Sequence, residues 1–181
     1  MVKCAEFEKV SYEQFEKDML ELLGSATIDG GVLHDELIDM IKGMYEDIEL
    51  PKRATVGSAG YDIRTPIGFD LNVKEEIKIP TGLRVKIDDG WFLGCLPRSG
   101  LGFKYKMQLA NTMGVIDSDY YNSSNEGHIM LKICNDNNEG KMISVEAGDK
   151  LVQGILFPYG ITYSDNVKDA RDGGFGSTGQ R

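Results

Sequence analysis

From Leu50 onward, the apolar residues of this 181-residue chain recur at every second position in short runs. Phe69, Leu71 and Val73 alternate with polar neighbours, as do Leu83, Val85 and Ile87, and Ile129, Leu131 and Ile133. A period of two puts alternate side chains on one face of an extended strand. Turn-forming clusters separate the runs: Pro66, Pro80-Thr81-Gly82, Asp88-Asp89-Gly90 and Ala147-Gly148-Asp149. Many short strands with regularly spaced turns predict a mainly β fold, a barrel or a sandwich. Hydrophobic residues make up 41% of the chain, enough for a core, which sets aside a disordered or low-complexity protein.

The N-terminal segment follows another rule. Lys3 to Val10 reads as a strand, and Ser11 with Gln14 three residues on matches a helix-capping box. Tyr12, Phe15, Met19 and Leu22 then recur at helical spacing, with Leu23 widening the stripe. Gly24 and Asp29-Gly30-Gly31 are expected to break that helix, and Leu33, Leu37, Ile41 and Met44 predict a second one. Charge divides the same way: residues 1–47 carry four lysines against twelve acidic residues, and the rest is nearly neutral. The boundaries are therefore 1–49 for a strand plus an acidic helical insertion, 50–171 for the β body and 172–181 for a Gly-rich arm expected to be mobile. The apolar stripes predict packing on the body. The acidic outer faces admit a basic protein partner, because such patches steer encounters.

Composition excludes several classes. A body without basic excess disfavours nucleic-acid binding. No run of eighteen apolar residues exists to span a membrane. Cys4, Cys95 and Cys134 are widely spaced and form no CxxC pair, which argues against a zinc site or disulfide framework and for a reducing cytoplasm. His34 and His128 stand far apart, outside any metal-ligand or hydrolase-triad pattern.

Three segments carry chemistry. Pro97-Arg98-Ser99-Gly100 sets a guanidinium, a hydroxyl and a glycine N–H at the end of a predicted strand; this suits an anion, and equally a solvated surface turn. Gly114-Val115-Ile116-Asp117-Ser118-Asp119-Tyr120 holds two carboxylates, either a general base for water or turn-capping groups. Asn111 upstream offers the donor and acceptor that a pyrimidine edge needs, and Tyr120 a ring for a sugar or base. Gly174-Phe175-Gly176-Ser177-Thr178-Gly179 has the G-x-G-x-x-G spacing, but only two residues follow it, too few for the helix that a dinucleotide site opens. Its glycines and hydroxyls still suit a phosphate, with Arg171 upstream.

In order, these segments resemble the five motifs of the trimeric dUTPase family. Ala59-Gly60-Tyr61-Asp62 looks like the first, Pro97 to Gly100 the second, and Asn111 to Tyr120 the third. Gly148-Asp149-Lys150-Leu151-Val152-Gln153 is similar to the fourth and 173–179 to the fifth. The resemblance implies a distorted jelly-roll-like β-barrel and a homotrimer with sites shared between subunits. It implies hydrolysis of dUTP to dUMP and pyrophosphate by water attack on the α-phosphorus, limiting uracil in DNA and supplying dUMP, with Mg²⁺ carried on the substrate phosphates. Carried over, Asp117 activates the water, and Asn111, the backbone of Val115 and Ile116, and Met130 read uracil. Tyr120 packs on the deoxyribose. Arg98, Ser99, Gly100 and Gln153 hold phosphates, and Phe175, Gly176, Arg171, Ser177 and Thr178 close over the nucleotide. Asp62 stands near the site.

Two departures stand out. The tight turn usual after the motif-three tyrosine is replaced by the longer Tyr121-Asn122-Ser123-Ser124-Asn125-Glu126-Gly127, and residues 11–47 have no counterpart in the minimal pattern. Two other readings compete. A related dCTP deaminase carries a catalytic Glu where this chain has Lys132, and a lysine cannot shuttle the protons of deamination. A dUTPase-like interaction protein would bind a regulator instead of turning over substrate.

Overall fold

The computed structural model describes residues 2–27 and 34–168. Its centre is a five-stranded antiparallel sheet in the order β2-β3-β12-β7-β9, formed by Lys52–Arg53, Tyr61–Arg64, Lys150–Pro158, Trp91–Pro97 and Gly114–Ile116. A three-stranded sheet, β5-β10-β8, joins Glu76–Pro80, Met130–Asn135 and Met107–Leu109. Two ribbons complete the body: β1 (Ala5–Lys9) with β6 (Leu83–Ile87), and β4 (Phe69–Leu71) with β11 (Ile143–Val145). Every strand pair is antiparallel.

The alternation seen in sequence is the inside–outside alternation of these strands. On β6, Leu83, Val85 and Ile87 are buried and Lys86 is exposed; on β10, Leu131 and Ile133 are buried and Lys132 is exposed. Ile63, Leu93, Cys95, Ile116, Ile129 and Leu151 fill the same core.

The insertion packs on that core as its stripes predict. α1 spans Tyr12–Thr27 and α2 spans His34–Glu46. Phe15, Met19, Leu37 and Ile41 are buried in one cluster with the strand residues. Each such side chain contributes roughly 1.5–3 kcal/mol on leaving water, which holds in place helices too short to persist alone. Two details differ from expectation. α1 runs through Gly24, where a glycine costs only about 1 kcal/mol near a helix end. The capping box is half-formed: Ser11 Oγ accepts from the Gln14 N–H at 3.1 Å, but the Gln14 side chain turns to Asp18. The Ser11 N–H and hydroxyl go instead to the Glu126 carboxylate, at 2.8 and 2.6 Å. The long 121–127 loop and the inserted helix, the two departures from the minimal pattern, are thus bonded to each other.

Candidate active site

The predicted base readers converge on one cavity of about 490 Å³, lined among others by Asn111, Gly114, Ile116, Asn125, Met130 and Asp18. Its size is that of a small-molecule pocket. The sheet explains why it opens there. β8 ends at Leu109, and the chain turns through 110–113 before β9 begins; the turn is closed by Thr112 N–H to Leu109 O at 2.8 Å and Met113 N–H to Asn111 O at 2.7 Å. β10 continues past the point where β8 has left it. The Lys132 carbonyl still accepts from the Ala110 N–H at 2.9 Å. In an antiparallel ladder, backbone groups alternate sides, so the N–H and C=O of Met130, two residues earlier, face the same way, into the gap. An amide edge open to the cavity that Asn111 also lines matches a flat heterocycle with alternating donors and acceptors.

Asp117 follows Ile116 at the end of β9, half-buried, at the N-cap of a 3₁₀ turn over Ser118–Asn122. Val115 is exposed, pairs with Gly94 and does not line the cavity. Tyr120 is buried and does not line the cavity. Its hydroxyl donates to the His128 carbonyl at 2.9 Å and accepts from Asn125 Nδ2 at 2.7 Å, which fixes the ring behind the cavity wall.

The predicted phosphate groups lie elsewhere. Arg98 is the N-cap of α3 (Ser99–Tyr105), a helix not anticipated from sequence, and Ser99 and Gly100 open its first turn, where N–H groups lack intrahelical acceptors. Arg98 Nε lies 3.2 Å from Asp62 Oδ1, and Lys150 Nζ lies 2.7 Å from Asp62 Oδ2. Asp62 therefore orients two cations instead of being held ready for substrate. Gln153 pairs with Asp62 across β12 and β3, and its Nε2 donates to the Pro97 carbonyl at 3.3 Å. Gly60 makes room for it: a Cβ there would stand 2.5 Å from Gln153 Oε1. Arg98, Gly100, Arg64, Lys104 and Lys150 line a second depression of about 500 Å³, with no residue in common with the first.

Strand register sets the distance between the two. Ile116 faces Leu93 and Gly114 faces Cys95. Asp117 leaves one end of this ladder, whereas Arg98 lies five residues beyond Leu93 at the other. At about 3.3 Å per residue, that is ~17 Å or more of backbone along the sheet, which sets the two groups at opposite ends of the ladder.

Sequence reasoning misses Asp18, Asn125 and His128 as site residues, and gives Lys150 no role. Only Lys150 sits in a recognisable motif. Lys132, at the deaminase glutamate's place, is ion-paired with Glu76, which holds its ammonium charged. Arg171, Phe175, Gly176, Ser177 and Thr178 lie outside the described residues. Among the described residues, no group of three His, Cys, Asp or Glu side chains could hold a metal ion.

The dUTPase family model matches residues 46–179, and the chain belongs to that family. The deoxyuridine 5'-triphosphate nucleotidohydrolase of Lactococcus lactis is 40% identical over 135 residues, covering 73% of this chain and 89% of its own. The Finegoldia magna protein of the same name is 39% identical over 137 residues, covering 72% and 91%. Among solved structures, the dUTPase of Streptococcus mutans aligns with a TM-score of 0.56 at 34% identity, over 62% of this chain and 88% of that one. A mutant dUTPase from phage phi11 of S. aureus, described as coordinating a structural Mg(II) ion, shares the fold with a TM-score of 0.56 at 22% identity, over 68% and 92%. The fold is therefore the mainly β, jelly-roll-like fold of dUTPases.

Proposed function

We propose that the protein hydrolyses dUTP to dUMP and pyrophosphate, limiting uracil incorporation into DNA and supplying dUMP. The observation that carries this is the cavity between the 110–113 turn and β10, lined by Asn111, Met130 and Ile116, the residue that precedes Asp117 in the chain. Uracil enters the cavity, which sets the α-phosphorus near Asp117. The carboxylate takes a proton from water, the water oxygen bonds to the α-phosphorus, and the bond to the α,β-bridging oxygen breaks as pyrophosphate leaves. Arg98, Ser99, Gly100 and Gln153 hold the phosphate charge. Phe175, Gly176, Arg171, Ser177 and Thr178 close over the nucleotide. Tyr120, braced by His128 and Asn125, limits the space at the sugar.

The ~17 Å between Asp117 and Arg98 supports a homotrimer in which the base cavity of one subunit meets the cationic depression of another. Mg²⁺ fits as part of the substrate: the Asp62 carboxylate is already engaged by Arg98 and Lys150, so the ion arrives on the triphosphate. Free cysteines at 4, 95 and 134 support a reducing compartment such as the cytoplasm. No described helix is long and apolar enough to cross a membrane. Glu13, Glu21, Asp35, Glu36, Asp39 and Glu46 are exposed on α1 and α2, which supports docking of a basic regulatory partner beside hydrolysis.

The test is pyrophosphate release from each deoxynucleoside triphosphate and from UTP with Mg²⁺ present. Turnover of dUTP with little of dCTP or UTP is the expected result. Ammonia release from dCTP would favour the deaminase, and no turnover with any nucleotide would leave only the interaction protein.

A further inference from the structure

Among the described residues, the insertion lines the base cavity with one side chain. Asp18, on α1, lines the cavity with Asn111 and Met130. Its Oδ2 lies 2.5 Å from Nδ1 of His128 and 2.7 Å from Nε2 of Gln14. The His128 side chain is fully buried. Its other ring nitrogen, Nε2, lies 2.7 Å from the backbone nitrogen of Gly82. A backbone N–H can only donate, so Nε2 accepts, and Nδ1 carries the ring proton toward Asp18. Gly82 has φ +70, and a Cβ there would stand 2.2 Å from the Ile48 side chain, so this turn is packed tightly against the insertion. His128 begins the stretch whose next residues, Ile129 and Met130, form the cavity wall. Its carbonyl also accepts the Tyr120 hydroxyl. His128 thus joins the helix and the turn through its imidazole, and Tyr120 and the cavity wall through its backbone.

We propose that Asp18 is a positioning residue of the nucleotide site: by fixing the His128 ring, it holds the Met130 wall and Tyr120 at the spacing a uracil nucleotide requires. The insertion is then part of the substrate-binding apparatus and not only a cover for the core. Asp18 acts on binding, because the Asp117 carboxylate sits on another element, at the end of β9. A buried imidazole N–H left without its acceptor costs free energy and lets the ring turn, and the wall moves with it. This rests on the dUTP reading of the cavity.

The experiment compares Asp18→Leu, Asp18→Asn and Leu37→Ala in the full-length assembly. Leu37 is buried on α2 but does not line the cavity, so it reports general loosening of the insertion. KM and kcat for dUTP, dUMP affinity by calorimetry and melting temperature are measured together. Asp18→Leu should raise KM and weaken dUMP binding about tenfold, one lost buried hydrogen bond, with kcat falling less than threefold. Asp18→Asn keeps an acceptor for the Nδ1–H and should recover most of the lost affinity. Leu37→Ala should lower the melting temperature without that rise in KM. An unchanged KM in Asp18→Leu, or an equal rise in Leu37→Ala, overturns the proposal while dUTP turnover by the native protein stands. Native protein that neither turns over dUTP nor binds dUMP overturns the functional reading, and this one with it. Should Asp18→Leu not fold, Asp18→Ala replaces it. The ¹⁵N signals of the native His128 ring then test the same contact without any substitution: a protonated Nδ1 is expected, and an unprotonated one sinks the idea.

Discussion

The two depressions that divide the predicted site are built on opposite plans. The base cavity uses backbone edges, the Asn111 and Asn125 amides and apolar walls, all supplied by one chain, and its geometry is set where β8 ends before β10 does. The phosphate depression is an open, cationic surface whose two principal cations are tied to Asp62. A base is recognised by shape and fixed donor–acceptor positions, which one fold can preorganise. Phosphates are recognised by charge, and Arg98, Lys104, Lys150 and Arg64 are gathered in one depression that lacks the cavity's fixed donor–acceptor edge. Selectivity should therefore reside in the cavity and rate in the meeting of the two.

The sharpest way to break this division is at Asp117. Asp117→Asn keeps the shape and removes the proton acceptor, so kcat should fall by ~10²–10⁴-fold with dUMP affinity retained. A variant keeping more than half of the native kcat would move the general base elsewhere. Arg98→Ala should cost ~10²–10³-fold, the loss typical of one transition-state charge stabiliser. Unfolding and refolding the two variants together tests the division itself. If each site takes Asp117 from one subunit and Arg98 from another, mixed assemblies contain some intact sites and regain activity that neither parent has. No recovery in confirmed mixed assemblies would mean that each chain brings both groups to its own substrate, against the strand register.

A smaller effect is expected on the cavity side. Asn111→Ala should raise KM for dUTP about tenfold, the cost of one unmade hydrogen bond in a desolvated site, and narrow the preference over dCTP while kcat changes little. A loss confined to kcat would place Asn111 on the reaction path and not in base reading.

The body of the fold is readable in sequence because its signals are local. Leu83, Val85 and Ile87 announce a strand by spacing alone, and the Phe15–Met19 and Leu37–Ile41 stripes announce faces that must be covered. Asp117, Arg98 and Asn111 stand out as candidates because they lie in short segments whose residue types suit anions and pyrimidines. What stays hidden depends on contacts between distant parts of the chain. Nothing near Asp18 marks it as a partner of His128, 110 residues away. The Ser11 hydroxyl does cap the helix by accepting from the Gln14 N–H, but the Gln14 side chain donates to Asp18, and Glu126, 115 residues from Ser11, accepts from the Ser11 N–H in its place. Asp62 is recognisable by motif, yet its work of holding Arg98 and Lys150 emerges only once β3 and β12 are paired.

The Ser11–Glu126 contact gives the smallest and most specific test of how the insertion is fastened. The Ser11 hydroxyl and N–H hold the Glu126 carboxyl below the usual glutamate range, against a desolvation effect that would raise it. Burial also pushes the Asp18 carboxyl up, but the hydrogen bonds from His128 and Gln14 outweigh it, and the net direction is again down. A carboxyl depressed in the folded state contributes stability that is fully present above its unfolded pKa, ~4.3 for Glu and ~3.9 for Asp, and lost as pH falls through the folded value. The melting temperature of the native protein should therefore drop below about pH 4, beyond any general acid effect. Glu126→Gln removes one of the two titrations and should melt a few degrees lower at pH 7, on the order of 1 kcal/mol for a chain of this size. Its acid decline should also be shallower. Parallel declines in the two proteins would mean that Glu126 titrates alike folded and unfolded, and that the Ser11 contact does not help to fasten the insertion.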